Sequence, residues 1–180
     1  MFRQIALILS CAALAGCAAT DAPLPPDAGG PVGQLDPVDV EQRVLREARE
    51  RFGDALVAEA LNSESYLIAY RGVGGIWVPA PAGEAQPVPP DPRMALIALR
   101  NGDWVVADDG AWRQASQSKI EDIETLVTSP GFGGEPVHIP PCPDYPTGRL
   151  LMKYEGSLKV ARDHGCPSQT DRVIGVALEA

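Results

Sequence analysis

Residues 93–116, RMALIALRNGDWVVADDGAWRQAS, constrain the fold of this chain more than any other stretch. Two apolar runs flank Asn101-Gly102. Both residues of that pair accept positive φ, which is what a two-residue type I′ hairpin requires. Asp109-Gly110 repeats the signal and predicts a second turn, with a further short strand through AWR. Glu155-Gly156 marks another hairpin, because Leu150, Met152 and Tyr154 alternate before it and Leu158 and Val160 after it. SYLIAYRG (65–72) alternates as well, with Tyr66, Ile68 and Tyr70 on one side, and GGIWVPA (74–80) reads as a short strand. Strands that return on such short turns pair antiparallel.

Helical signals frame these strands. Asp36 suits an N-cap, Pro37 the first helical position, and Asp39 the positive end of the dipole. Val40, Val44, Leu45, Ala48, Phe52, Ala55 and Leu56 then recur at 3–4 spacing as one apolar stripe. Arg43, Arg46, Glu47, Glu50 and Arg51 read as the solvated face, with Glu47 and Arg51 spaced for an i,i+4 pair. Gly53 falls where this helix would divide in two. Ser116 is placed to cap a helix over 117–128, with Ile120, Ile123, Leu126 and Val127 buried and Glu121, Asp122 and Glu124 in water. Ser129-Pro130-Gly131 ends it. Ser168 or Thr170 starts a last helix through Val173, Ile174 and Val176 to Leu178. The expected fold class is α+β, a small antiparallel sheet of hairpins with two or three flanking helices.

Between these elements lie proline-rich connections. Six of the fourteen residues from Pro79 to Pro92 are proline, which predicts an exposed loop, since proline cannot donate to a sheet ladder. Residues 130–148 form a second Pro/Gly-rich passage. Residues 18–35, AATDAPLPPDAGGPVGQL, carry almost no large side chains and read as a flexible tether rather than a folding unit.

The N-terminus has its own pattern. Arg3 precedes an apolar run that is interrupted at Ser10 and Cys11 and ends in small residues. That run is shorter than the roughly 20 residues a membrane span needs, so it reads as a secretory signal. Leu14-Ala15-Gly16-Cys17 resembles the lipobox of bacterial lipoproteins. The resemblance covers the signal alone. It implies cleavage after Gly16, a diacylglycerol thioether on the Cys17 sulfur and acylation of the new N-terminus. Several acyl chains, at about 0.8 kcal/mol per buried CH₂, make a lasting anchor. In lipoproteins of double-membraned bacteria an Asp in the next position favours retention at the inner membrane. Ala18 therefore implies the outer membrane, with the domain facing the periplasm. The expected organisation is a cleaved signal over 1–16, a lipidated Cys17 and tether over 17–35, and one α+β domain over 36–180.

Charge and cysteine usage agree with that location. The chain has 15 Lys+Arg against 24 Asp+Glu, a net charge of −9, and the signal carries only Arg3 of these. A net negative protein without a basic run has no electrostatic drive toward nucleic acid or anionic lipid. Of four cysteines, Cys11 leaves with the signal and Cys17 takes lipid, leaving Cys142 and Cys166. In an oxidising compartment that pair is expected as a disulfide.

Both cysteines have a histidine close by, in His138-Ile-Pro-Pro-Cys142 and His164-Gly-Cys166. A hairpin turning at Glu155-Gly156 sets opposite residues at numbers summing to 311, so Cys166 would face a position only a few residues past Cys142. A bridge there would contribute about 3 kcal/mol on chain-entropy grounds. The alternative is a metal site from His138, Cys142, His164 and Cys166, a ligand set known in structural zinc. His-x-Cys is tight for that geometry and an oxidising compartment favours the disulfide, so no metal or cofactor is the leading expectation.

No other motif commits the chain to a chemistry. Asp163-His164 would need a bulge to act as a dyad, since strand neighbours point to opposite faces. Asp103, Asp108 and Asp109 lack the oxygen spacing of a calcium loop. Gly72-Val73-Gly74-Gly75 precedes no Lys-Ser/Thr. Trp77, Trp104 and Trp112 suit core and rim better than a sugar or peptide groove. The leading expectation is a non-enzymatic, lipid-anchored domain binding an envelope protein or glycan. The alternatives are an envelope hydrolase, with His138 or His164 in its site, and an inhibitor of such a hydrolase.

Overall fold

Apolar side chains project from both sides of the central strands, so the sheet needs cover on both faces. The structure is a computed structural model that describes residues 36–73, 91–135, 146–163 and 168–180. The described residues all belong to one compact unit. Six strands are described: β1 (Tyr66–Arg71), β2 (Arg93–Arg100), β3 (Asp103–Asp108), β4 (Ala111–Gln114), β5 (Gly148–Tyr154) and β6 (Ser157–Asp163). They form one sheet in the order β4-β3-β2-β1-β5-β6, with every neighbouring pair antiparallel. The helices are α1 (Pro37–Phe52), α2 (Asp54–Leu61), α3 (Gln117–Val127), α4 (Pro130–Gly134) and α5 (Gln169–Ala177). The fold class is α+β, as the hairpin and helix signals predict.

The three X-Gly pairs form the turns. Asn101 and Gly102 have φ of 53° and 88°, Asp109 and Gly110 45° and 79°, Glu155 and Gly156 47° and 79°. Positive φ at both positions matches the twist of the flanking strands. The third hairpin runs from Tyr154↔Ser157 to Gly148↔Asp163, so its register sum of 311 is the one its turn predicts.

Two apolar clusters sandwich the sheet. On one face Tyr66, Ile68, Leu96, Ala98 and Leu151 meet Val40, Val44 and Ala48 of α1 and Leu56, Val57 and Ala60 of α2. On the other, Leu67, Ala69, Ile97, Leu150 and Met152 meet α3, α5 and Phe132 of α4. Each fully buried Leu or Ile contributes about 1.5–3 kcal/mol. The alternation in SYLIAYRG thus describes one face, while Leu67 and Ala69 are buried on the other. Leu158 is the exception among the apolar strand positions, 56% exposed on the edge strand β6.

Capping follows the sequence at both ends of the chain's helical set. The Asp36 carboxylate accepts from the Val38 N–H at 2.9 Å, and Ser168 Oγ accepts from the Asp171 N–H at 2.8 Å. Ser116 occupies the N-cap position of α3 but makes no side-chain cap bond, since its hydroxyl lies 3.2 Å from that of Ser118. Ser129-Pro130 ends α3 by starting α4, with Ser129 accepting from the Phe132 N–H.

Gly53 divides α1 from α2 with φ 85° and ψ 155°, a region open to glycine almost alone. A Cβ there would meet nothing within 4 Å, so substitution carries only a backbone cost. Gly53→Ala is expected to destabilise the domain by about 1–3 kcal/mol, read from a urea midpoint. An unchanged midpoint would show that the break does not depend on this backbone geometry.

Candidate functional site

One end of the sheet collects the C-terminal ends of β1 and β6 and the N-terminal ends of β2 and β5. Arg71 is in register with both Arg93 and Gly148, and Gly148 is in register with Asp163. The Gly72 N–H donates to the Thr147 carbonyl at 2.8 Å. The three internal stretches outside the described residues, 74–90, 136–145 and 164–167, each have an end here.

Arg149 on β5 is the most buried cation of this region, its side chain 7% exposed. Its Nη1 donates to both carboxylate oxygens of Glu47, at 2.7 and 2.8 Å. The guanidinium also lies 4.7 Å above the ring of Tyr70, its register partner on β1. Arginine suits this place because a planar, weakly hydrated cation stacks on an aromatic face while donating in its own plane. Glu47 therefore belongs to the sheet-facing side of α1, and its pairing with Arg51 gives way to a bond that crosses from helix to sheet. Both residues escape the sequence reading as a pair. The available signal was spacing, since Glu47 follows Val40 and Val44 on one helical stripe, and Arg149 directly precedes the apolar run Leu150-Leu151-Met152.

Two further contacts bind this end to α5. Arg71 Nη2 donates to the Asp171 carbonyl at 3.1 Å and pairs with the Asp171 carboxylate. The Glu135 carboxylate caps the N-terminus of α5, accepting from the Gln169 N–H at 2.5 Å, the Thr170 N–H at 2.9 Å and the Thr170 hydroxyl at 2.7 Å. An anion is stabilised there by the helix dipole and the unpaired first-turn amides. Gln169 Oε1 is buried beside this cap without a donor among the described residues.

Residues 136–145 leave from Glu135, and 164–167 arrive at Ser168, next to the residues that Glu135 grips. At their other ends, the same two stretches meet the paired Gly148 and Asp163. The described residues that flank the two cysteine-bearing segments are therefore held together at each end. Cys17, His138, Cys142, His164, Cys166 and Trp77 themselves lie outside the described residues.

The remaining sequence candidates are placed. Trp104 packs against the α3/α5 cluster and donates to Glu124 at 3.1 Å; Trp112 packs on the opposite face and donates to Glu59 at 2.8 Å, with Arg100 5.2 Å over its ring. Lying on opposite faces, they form no common platform. Asp108 pairs with Arg113 at 2.9 Å, Asp103 is opposite Arg100, and Asp109 sits in the turn. Among the described residues no three His, Cys, Asp or Glu gather as a metal site, and no helix is long and apolar enough to cross a membrane. Burial, and to a lesser degree Glu41, raises the Tyr66 hydroxyl above its ordinary value. Compared with protein-family models, with curated proteins and with solved structures, the chain matches none of them.

Proposed function

We propose that this chain is a lipid-anchored envelope protein of the periplasmic side, sorted to the outer membrane, whose domain binds an envelope protein or glycan rather than catalysing a reaction. The observation that carries the anchor is Leu14-Ala15-Gly16-Cys17 behind a short apolar run. The proline-rich stretch after it is long enough to hold a domain clear of the bilayer. Support for binding rather than catalysis comes from how the charged groups of the sheet end are engaged. Arg149, Arg71 and Glu135 each hold one element against another, so their charges serve the scaffold.

Cys17→Ala is expected to move the protein from the membrane fraction to the soluble fraction, since the acyl chains are the anchor. Membrane fractionation with intact mass checks this. An unchanged membrane fraction, or a native mass that retains residues 1–16, would overturn the anchoring. Crosslinking and capture of the intact protein in detergent-solubilised envelope tests the binding role. Enrichment of a defined protein or glycan supports it. Loss of phenotype in a His138→Ala/His164→Ala variant that still folds would favour the hydrolase reading instead.

A further inference from the structure

Away from the sheet end, a cavity of about 630 Å³ opens between the α3–α4 corner and the β5–β6 hairpin. Ligand sites commonly span about 300–1,000 Å³. Val127, Phe132, Met152 and Tyr154 supply its apolar side, Glu135, Glu155 and Ser157 line it with polar groups, and Lys159 supplies an amine. Lys159 Nζ lies 3.8 Å from the centre of the Phe132 ring and donates to the Phe132 carbonyl. Among the described residues it forms no ion pair with a carboxylate. Glu135, the acid whose charge acts on it, is bound to the amides of α5.

The chain has only three lysines, and the other two differ. Lys119 pairs with Glu179 at 2.6 Å on the surface, and that bond holds its ammonium above the ordinary value. Lys153 donates to the Ser63 carbonyl at 3.3 Å. At Lys159 burial lowers the amine below its ordinary value, with Glu135 acting weakly the other way. An ammonium that loses water without gaining a counter-ion gives up its proton more easily, and the neutral amine is a nucleophile.

We propose that Lys159 captures a small aldehyde or ketone with an apolar body in this cavity and holds it as an imine. The amine lone pair attacks the carbonyl carbon, and the C=O π pair moves to oxygen. Nitrogen loses a proton and oxygen gains one, which gives a carbinolamine. The C–O bond then breaks, water leaves, and the C=N bond forms with loss of the second nitrogen proton. Amine plus carbonyl gives imine plus water, with no net oxidation or reduction. The apolar side chains on one side of the cavity select the body of the carbonyl compound.

Benzaldehyde with sodium cyanoborohydride, applied to the folded full chain near neutral pH, tests this. Reduction traps the imine as a benzylamine, and peptide mass spectrometry reads each lysine separately. Lys159 is expected to be modified several-fold faster than Lys119 or Lys153, because burial leaves more of its amine neutral. The preference is expected to vanish in urea, and formaldehyde, which has no body to fill the cavity, is expected to show less of it. Lys159→Arg keeps a donor for the Phe132 carbonyl and a cation for its ring, so it is expected to fold, to lose the adduct, and to leave labelling of Lys119 and Lys153 unchanged. Labelling of Lys159 no faster than Lys153 in the folded chain, or an equal preference with formaldehyde, would overturn the proposal.

Discussion

Replacing Arg149 with alanine is expected to lower the unfolding free energy by about 3–5 kcal/mol, the usual cost of removing one partner from a buried ion pair. The substitution leaves the Glu47 carboxylate facing the sheet without its cation and uncovers the Tyr70 ring. The loss falls on the seam between α1 and β5, and α1 is the element that follows the tether. Glu47→Leu with Arg149→Met together should restore most of the loss, because paired apolar replacements of a buried ion pair are often neutral. Urea unfolding of the four proteins in the cycle gives the coupling directly. Strictly additive single and double changes would show that the two residues do not act as a unit.

A comparable effect is expected at the cysteines. Cys142→Ser, Cys166→Ser and the double variant should each lose about 3 kcal/mol under oxidising conditions, the estimate for closing a loop of this length. All three should lose the same amount, since one bond is removed in each case. The native chain, but not the variants, should gain the mass of two hydrogens on reduction. The described residues that flank the two segments are held close to one another. Glu135 grips Gln169 and Thr170 at one point, and Gly148 pairs with Asp163 at the other. Two free thiols in the native protein would sink the pairing. A metal retained under gentle conditions would turn attention to His138 and His164 as fellow ligands.

What could be read along the chain was local. Each X-Gly turn depends on the backbone freedom of two residues, so Asn101-Gly102, Asp109-Gly110 and Glu155-Gly156 are legible without their partners. Asp36 and Ser168 cap helices for reasons contained within three residues. The register of β5 with β6 follows from its turn. Cover on the second sheet face was less legible. A run such as ALIAL (95–99) is apolar at every position whether one or both faces are buried, and only the packed helices decide between these. Stretches outside the described residues carry Leu14-Ala15-Gly16-Cys17, both histidines, Cys142 and Cys166, so that part of the site rests on sequence.

The sequence by itself determined the turns, the caps, the helix stripes and the chemistry available at the N-terminus, because each follows from neighbours a few residues apart. Only the tertiary structure decided that β1 lies between β2 and β5, that Glu47 meets Arg149 across 102 residues, and that Lys159 sits beside Phe132. Those outcomes depend on which surfaces lose water together, and burial is a property of the packed chain, not of any segment in it.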